Sequence, residues 1–173
     1  MKSIKHLFTV LVGLVFVFSS CTYSLKLGGA IIPATMKTIR VDFFENDAAF
    51  VVNTLSQQFT EALKDRIRST TSLDIVRTGG DGSMSGAITD YSVTPVSISA
   101  TPNNVAPIAG ASQLTITVKV KFVCDADKKL NFDESFTKSL PFKGDLASQE
   151  QNLILQINKQ LTEDIFNKAF ANW

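Results

Sequence analysis

Histidine and cysteine are nearly missing from this 173-residue chain, which has one histidine, His6, and two cysteines, Cys21 and Cys124. His6 falls in an amino-terminal leader, so the processed chain has no imidazole. That removes the commonest acid–base group and the commonest metal ligand. Two cysteines cannot make a disulfide framework. A charge excess is also missing: 17 basic residues face 16 acidic ones, a net charge of +1. General nucleic-acid binding needs a clear basic surplus and is not expected. Past the leader there is no second long apolar run, so nothing else is expected to span a bilayer. Internal repeats and low-complexity tracts are absent as well.

The leader is the most informative stretch that is present. Met1, Lys2 and Lys5 make a positive start, Leu7 to Phe18 is almost unbroken apolar, and Ser19, Ser20 and Cys21 follow. This is the order of a secretory signal, and its apolar part is shorter than the ~20 residues a membrane helix needs. A cysteine directly after two small residues is the pattern of a bacterial lipoprotein signal, in which the cysteine is acylated and becomes the first residue. Phe18 stands where an aliphatic residue is usual. An ordinary signal cut elsewhere, leaving Cys21 a plain thiol, is the other reading. Residues 1–20 are thus expected to be a lipoprotein signal peptide, 21–36 a lipid-anchored segment, and 37–173 one domain.

The domain reads as α+β: a single mostly antiparallel sheet with two helices on one face. Tyr23, Leu25 and Leu27 alternate with polar residues before Gly28 and Gly29. Lys37 to Phe44 reads as a strand with Ile39, Val41 and Phe43 on one side, and Glu45 to Asp47 as a loop. Leu55, Phe59, Ala62, Leu63 and Ile67 recur at helical spacing, with Thr54 and Gln57 at capping-box separation. Leu73 to Arg77 is a short strand, and the glycines around Asp81 predict a hairpin turn over 78–83. Gly86 to Ser99 changes parity between Ile88 and Tyr91 and again at Pro95, which predicts a bent strand. Ala100 to Ser112 is a long loop and the favoured contact element.

The clearest strand is Leu114 to Cys124. Leu114, Ile116, Val118, Val120, Phe122 and Cys124 share one face, and Lys119 and Lys121 point the other way. A turn at Asp125 to Lys129 leads to a less regular strand through Leu130, Phe132, Phe136 and Leu140, expected near a sheet edge because Glu134 and Lys138 share its apolar parity. A second helix is predicted from Ser148, with Gln151 three residues on. Its stripe is Leu153, Ile154, Ile157, Leu161, Ile165 and Ala169, extended by Phe166, Phe170 and Trp173.

No residue set here carries chemistry. Cys124 ends an apolar face and is expected to be a buried structural thiol. Asp125 and Asp127 lack the further oxygen ligands of a Ca²⁺ loop, so no metal is expected. Asp42, Glu61 and Asp90 are scattered carboxylates with nothing to pair them. No catalytic residue, no cofactor and no enzyme activity are predicted. Arg40, Lys119 and Lys121 are the candidate binding residues: either a solvated face or a small cationic patch for an anionic head group or a protein rim.

The runs TYSLKLGGAIIPATMKTI, TLSQQFTEALKDRI, ITDYSVTPVSI, LTITVKVKF and LTEDIFNKAFANW cover most of Cys21 to Trp173. Taken together, they resemble the lipopolysaccharide-assembly lipoproteins of the LptE family, in a divergent branch. The resemblance implies an outer-membrane lipoprotein facing the periplasm, held by its lipid anchor. It implies as partner the LptD-type β-barrel that inserts lipopolysaccharide into the outer leaflet. On that likeness the chain would plug the barrel, help it fold and bind lipopolysaccharide itself. Thr22 is not the aspartate that retains lipoproteins at the inner membrane in the best-known sorting system. Rival readings are a generic cell-envelope lipoprotein for another ligand or partner and, more weakly, a secreted hydrolase with a carboxylate dyad.

Overall fold

The computed structural model describes residues 32–96 and 111–171. The predicted strand at Tyr23 to Leu27, Cys21 and Trp173 lie outside them. Elements run in the order β1 (Thr38–Val41), β2 (Glu45–Asn46), α1 (Leu55–Thr70), β3 (Asp74–Val76), β4 (Gly82–Val96), β5 (Ala111–Cys124), a 3₁₀ turn (Lys128–Leu130), β6 (Phe132–Phe142) and α2 (Glu150–Phe170). They form one six-stranded sheet ordered β3-β1-β4-β5-β6, with β2 also paired to β4, and two helices packed on it. The fold is α+β. The long ladders β4–β5 and β5–β6 are antiparallel; the short ones, β1–β3, β1–β4 and β2–β4, are parallel.

The centre of the fold is the inward row of β5, as its alternation predicts. Leu114, Ile116, Val118, Val120, Phe122 and Cys124 are all 0% exposed. Each side chain removed from water to that extent contributes roughly 1.5–3 kcal/mol. Both helices add to the same core, α2 lying against β5 and β6 and α1 against β2 and β3. From α1 come Leu55, Phe59, Leu63 and Ile67, and from α2 come Ile157, Leu161, Ile165 and Phe170. The Phe122 ring meets Phe170 edge-on at 5.5 Å and Phe132 at 5.7 Å. Cys124 is buried, its backbone N–H donating to Asn131 Oδ1 at 2.7 Å.

The parity change between Ile88 and Tyr91 is a β-bulge, because pairing with β5 skips Thr89. The extra residue returns Tyr91 to the inward side, so both side chains are buried. No second shift occurs at Pro95, which pairs in register with Ser112. Among the described residues no strand lies along the other side of β4 beyond β2, so Pro95 sits on an edge there, where a missing N–H is tolerated. β6 is the other long edge, as expected. Its apolar-parity charges reach the flank of α2: Lys138 pairs with Asp164 at 2.7 Å, and Glu134 with Lys168 at 2.7 Å.

Four local expectations are corrected. First, β1 ends at Val41, and Phe43 is 57% exposed while Phe44 is buried. The Phe44 N–H donates to Thr60 Oγ1 at 3.1 Å, and its ring meets Phe59 edge-on at 5.1 Å. Second, Glu45 and Asn46 are a short strand rather than loop. Third, residues 78–83 make no hairpin, because β1 lies between β3 and β4. The five residues Arg77 to Asp81 carry the chain from one side of β1 to the other, with Gly79 and Gly80 at φ 69° and 108°. Asp81 then clasps the start of β1: its Oδ2 accepts from Lys37 N, Thr38 N and Thr38 Oγ1 at 2.8–2.9 Å. Fourth, neither capping box forms. Thr54 is helical in backbone, and Ser148 Oγ instead donates to Asp145 O at 3.0 Å.

Two outcomes follow from this packing. A methyl on Gly86 would collide with Lys119 O and approach the Phe44 ring to 2.8 Å. Gly86→Ala should therefore lower unfolding free energy by on the order of 3 kcal/mol in denaturant titration. The Asp81 carboxyl is held below the usual range, first by the Lys37 N–H and then by the Thr38 hydroxyl and N–H. A depressed folded-state value means stability present above the unfolded value of about 3.9 and lost as pH falls through the folded one. Asp81→Asn should lower the melting temperature at neutral pH and shrink the drop between pH 5 and pH 3; an unchanged acid limb would refute the clasp.

Candidate functional site

The helices cover one face of the sheet and leave the other bare. Strand alternation fills the bare face with short polar side chains. Thr115 and Thr117 on β5 meet Ser139 and Thr137 on β6, hydroxyl to hydroxyl, at 2.8 and 2.9 Å. β4 contributes Ser83, Ser85 and Ala87 to the same side, opposite Val123, Lys121 and Lys119. Such a face can donate and accept hydrogen bonds along its length, and on β4 it also carries Ser92, whose hydroxyl donates to Asp90 Oδ2 at 2.8 Å. Among the described residues no group of His, Cys, Asp and Glu could hold a metal ion.

Lys119 and Lys121 rise from this face two residues apart, above a shallow groove of about 340 Å³ floored by Ser85, Gly86 and Ala87. Small residues on β4 make the groove, because a larger side chain at 85 or 87 would fill it. Lys119 Nζ lies 3.4 Å from Asp133 Oδ1 on β6, both side chains about half exposed. Lys121 has no carboxylate within ion-pair distance among the described residues. An exposed pair such as Lys119–Asp133 is worth ~1 kcal/mol or less. An incoming anion can displace Asp133 at little cost. Arg40 shares the face but not the groove. It sits on β1 opposite Ser83, with Nε 3.0 Å from Asp42 Oδ1. The structure therefore brings two of the three candidate cations together and holds the third apart.

A second concavity was not legible from residue types. Where β4 runs past the start of α2, Phe50, Tyr91, Val93 and Leu146 line an apolar cleft of about 310 Å³. Phe50 is 61% and Val93 43% exposed. Phe50 stacks on Tyr91 at 5.7 Å, and Tyr91 OH donates to Glu150 Oε1 at 2.6 Å. Burial, and then the bond to Glu150, push the Tyr91 phenol well above its ordinary value, so it stays a donor. The only signal for the cleft was the pair Phe50–Val51 in a stretch with no periodicity. Of the favoured loop Ala100 to Ser112, Ala111 and Ser112 open β5 and the rest lies outside the described residues.

A family model described as lipopolysaccharide-assembly, LptE, matches residues 36–169. No curated protein sequence matches the chain. Among solved structures, a hypothetical protein of Chlamydia trachomatis is similar with a TM-score of 0.54 at 9% identity, over 79% of this chain and 99% of that one. A minor lipoprotein of Acinetobacter baumannii gives 0.51 at 12% identity, over 79% and 94%. An uncharacterized lipoprotein B of Nitrosomonas europaea gives 0.51 at 14%, over 83% and 87%. At these identities the likeness establishes the fold alone.

The Tyr91–Glu150 bond ties the sheet to the first turn of α2. Tyr91→Phe should cost about 2 kcal/mol of unfolding free energy, the range for a hydrogen bond to a charged group. A double-mutant cycle with Glu150→Ala, which removes the acceptor, checks this, and a coupling near zero would show that the bond adds nothing.

Proposed function

The chain belongs to the lipopolysaccharide-assembly LptE family, and we propose that it is the outer-membrane lipoprotein subunit of the lipopolysaccharide translocon. The family is one of non-enzymatic cell-envelope lipoproteins with a role in lipopolysaccharide assembly. In the proposed role the domain plugs the partner β-barrel, helps it assemble and binds lipopolysaccharide during insertion into the outer leaflet. The observation that carries this reading is the span of the family match, which takes in every described helix and strand except the last residue of α2.

The physical chemistry supports it in three ways. Cys21 is the acylation site of the proposal. Several acyl chains on one cysteine make a lasting anchor, since each buried methylene contributes ~0.8 kcal/mol. No described helix is long and apolar enough to cross a membrane, so such an anchor is the route to membrane residence that this reading needs. The bare sheet face suits the polar interior of a transmembrane barrel, where hydroxyls meet water and polar side chains. Lys119 and Lys121 supply charge-assisted donors for lipopolysaccharide phosphates. Arg40 contributes only through the general field, because it lies outside the groove.

Three measurements test the reading. Purification in mild detergent should retain a stoichiometric β-barrel, and a lipoprotein that elutes alone would count against it. Cys21→Ser should move the protein from the membrane to the soluble fraction. Lys119→Glu with Lys121→Glu should weaken lipopolysaccharide binding about tenfold, or ~1.4 kcal/mol; unchanged binding would remove the groove from the mechanism.

A further inference from the structure

The two helices run side by side in the same direction and are joined by polar contacts at two points. Gln58 Nε2 donates to Gln151 Oε1 at 3.3 Å, and Arg66 Nη2 donates to Glu163 Oε1 at 3.2 Å. Between those points a groove of about 300 Å³ opens, with Ala62 on α1 and Leu155, Asn158 and Thr162 on α2. Asn158 is 1% exposed, yet neither Oδ1 nor Nδ2 has a hydrogen-bond partner. Gln58 Oε1 and Arg66 Nε, on the same groove, are also unpartnered. Beside them Leu155 is 53% exposed. A buried carboxamide with both ends unpaired is costly, and native interiors rarely keep one without a reason.

We infer that this groove receives an extended backbone segment of the protein partner, whose peptide N–H and C=O pair with Oδ1 and Nδ2 of Asn158. The match is chemical. A carboxamide carries one acceptor and one donor group side by side, and a peptide unit offers the complementary pair. A phosphate could take only the donor and would leave Oδ1 unpaired. An acyl chain would satisfy neither. Charges at the mouth balance, with Arg66 and Lys159 against Asp65 and Glu163, so nothing there favours an ionic ligand. Leu155 gives the incoming segment an apolar seat, and the small Ala62 leaves room for its main chain. The inference rests on the reading that the chain works in complex with a protein.

The test uses the full-length lipoprotein in its own cells. A photo-reactive benzoylphenylalanine is placed at Leu155 or Lys159 in the groove, at Lys121 on the bare sheet face, and at Lys128 as a control. Barrel peptides captured from Leu155 and Lys159 are the expected result. Capture of the barrel from Lys121 alone would overturn the groove while leaving the proposed function standing. Capture of barrel from none of these positions would remove both, and capture of lipopolysaccharide from the groove would also overturn the inference. Asn158→Leu adds a second readout. Because it deletes an unpaired amide and keeps the branched side-chain shape, with the added methyl bulk able to extend into the open groove, the isolated lipoprotein should melt no lower than the parent. Barrel retained through detergent purification should fall at least tenfold. Parental retention would mean that water alone serves the amide. If this variant does not fold, the crosslinking result decides.

Discussion

Strand β5 sets the terms for everything packed around it. Its six inward apolar side chains are wholly buried, and its outward ones include Thr115, Thr117, Lys119 and Lys121. Because strand side chains alternate strictly, a one-residue slip against β4 or β6 would exchange a buried apolar row for a charged one. Both neighbours are thereby fixed in register over most of their length. The helices have only one apolar surface on which to lie. The bulge at Thr89 and the absence of a side chain at Gly86 are the two adjustments that let β4 follow that register while Phe44 reaches the core.

Much of this was written plainly in the residues. The alternation in β5, the four-residue spacing of Leu55, Phe59, Leu63 and Ile67, and the parity switch after Ile88 each depend on near neighbours. Local pattern reports such features faithfully. What the pattern missed depends on distant partners. Phe43 and Phe44 are equivalent to any periodicity argument, and distant partners, the Thr60 hydroxyl, the Phe59 ring and the space at Gly86, hold Phe44 in the interior. The glycine turn before Ser83 has hairpin chemistry, but hairpin pairing was pre-empted because β1 occupies the space between β3 and β4. Capping spacing at Thr54 failed because an N-cap needs extended backbone and Thr54 is already helical.

The candidate cations show the same division. Lys119 and Lys121 lie on one strand at a separation of two, and alternation alone brings them together. Arg40 was grouped with them by parity, which says nothing of position across the sheet or of the carboxylate two residues on. The helix groove has no sequence signature, and the apolar cleft only the pair Phe50–Val51, because each is made where separate elements meet. Three surfaces of different chemistry result: a hydroxyl-rich sheet face, an apolar cleft at its end, and a carboxamide-floored groove between the helices.

The position of β1 also governs how the domain bears load. The chain enters through Lys37 directly into a strand flanked on both sides by parallel partners and gripped at its first residues by Asp81. A pull on the chain ahead of Met36 acts along the axis of β1, so its two ladders resist in shear, all bonds together. Strands at the rim can be peeled one bond at a time; this one cannot. The first strand of the domain thus meets tension at its amino end in the geometry that yields last.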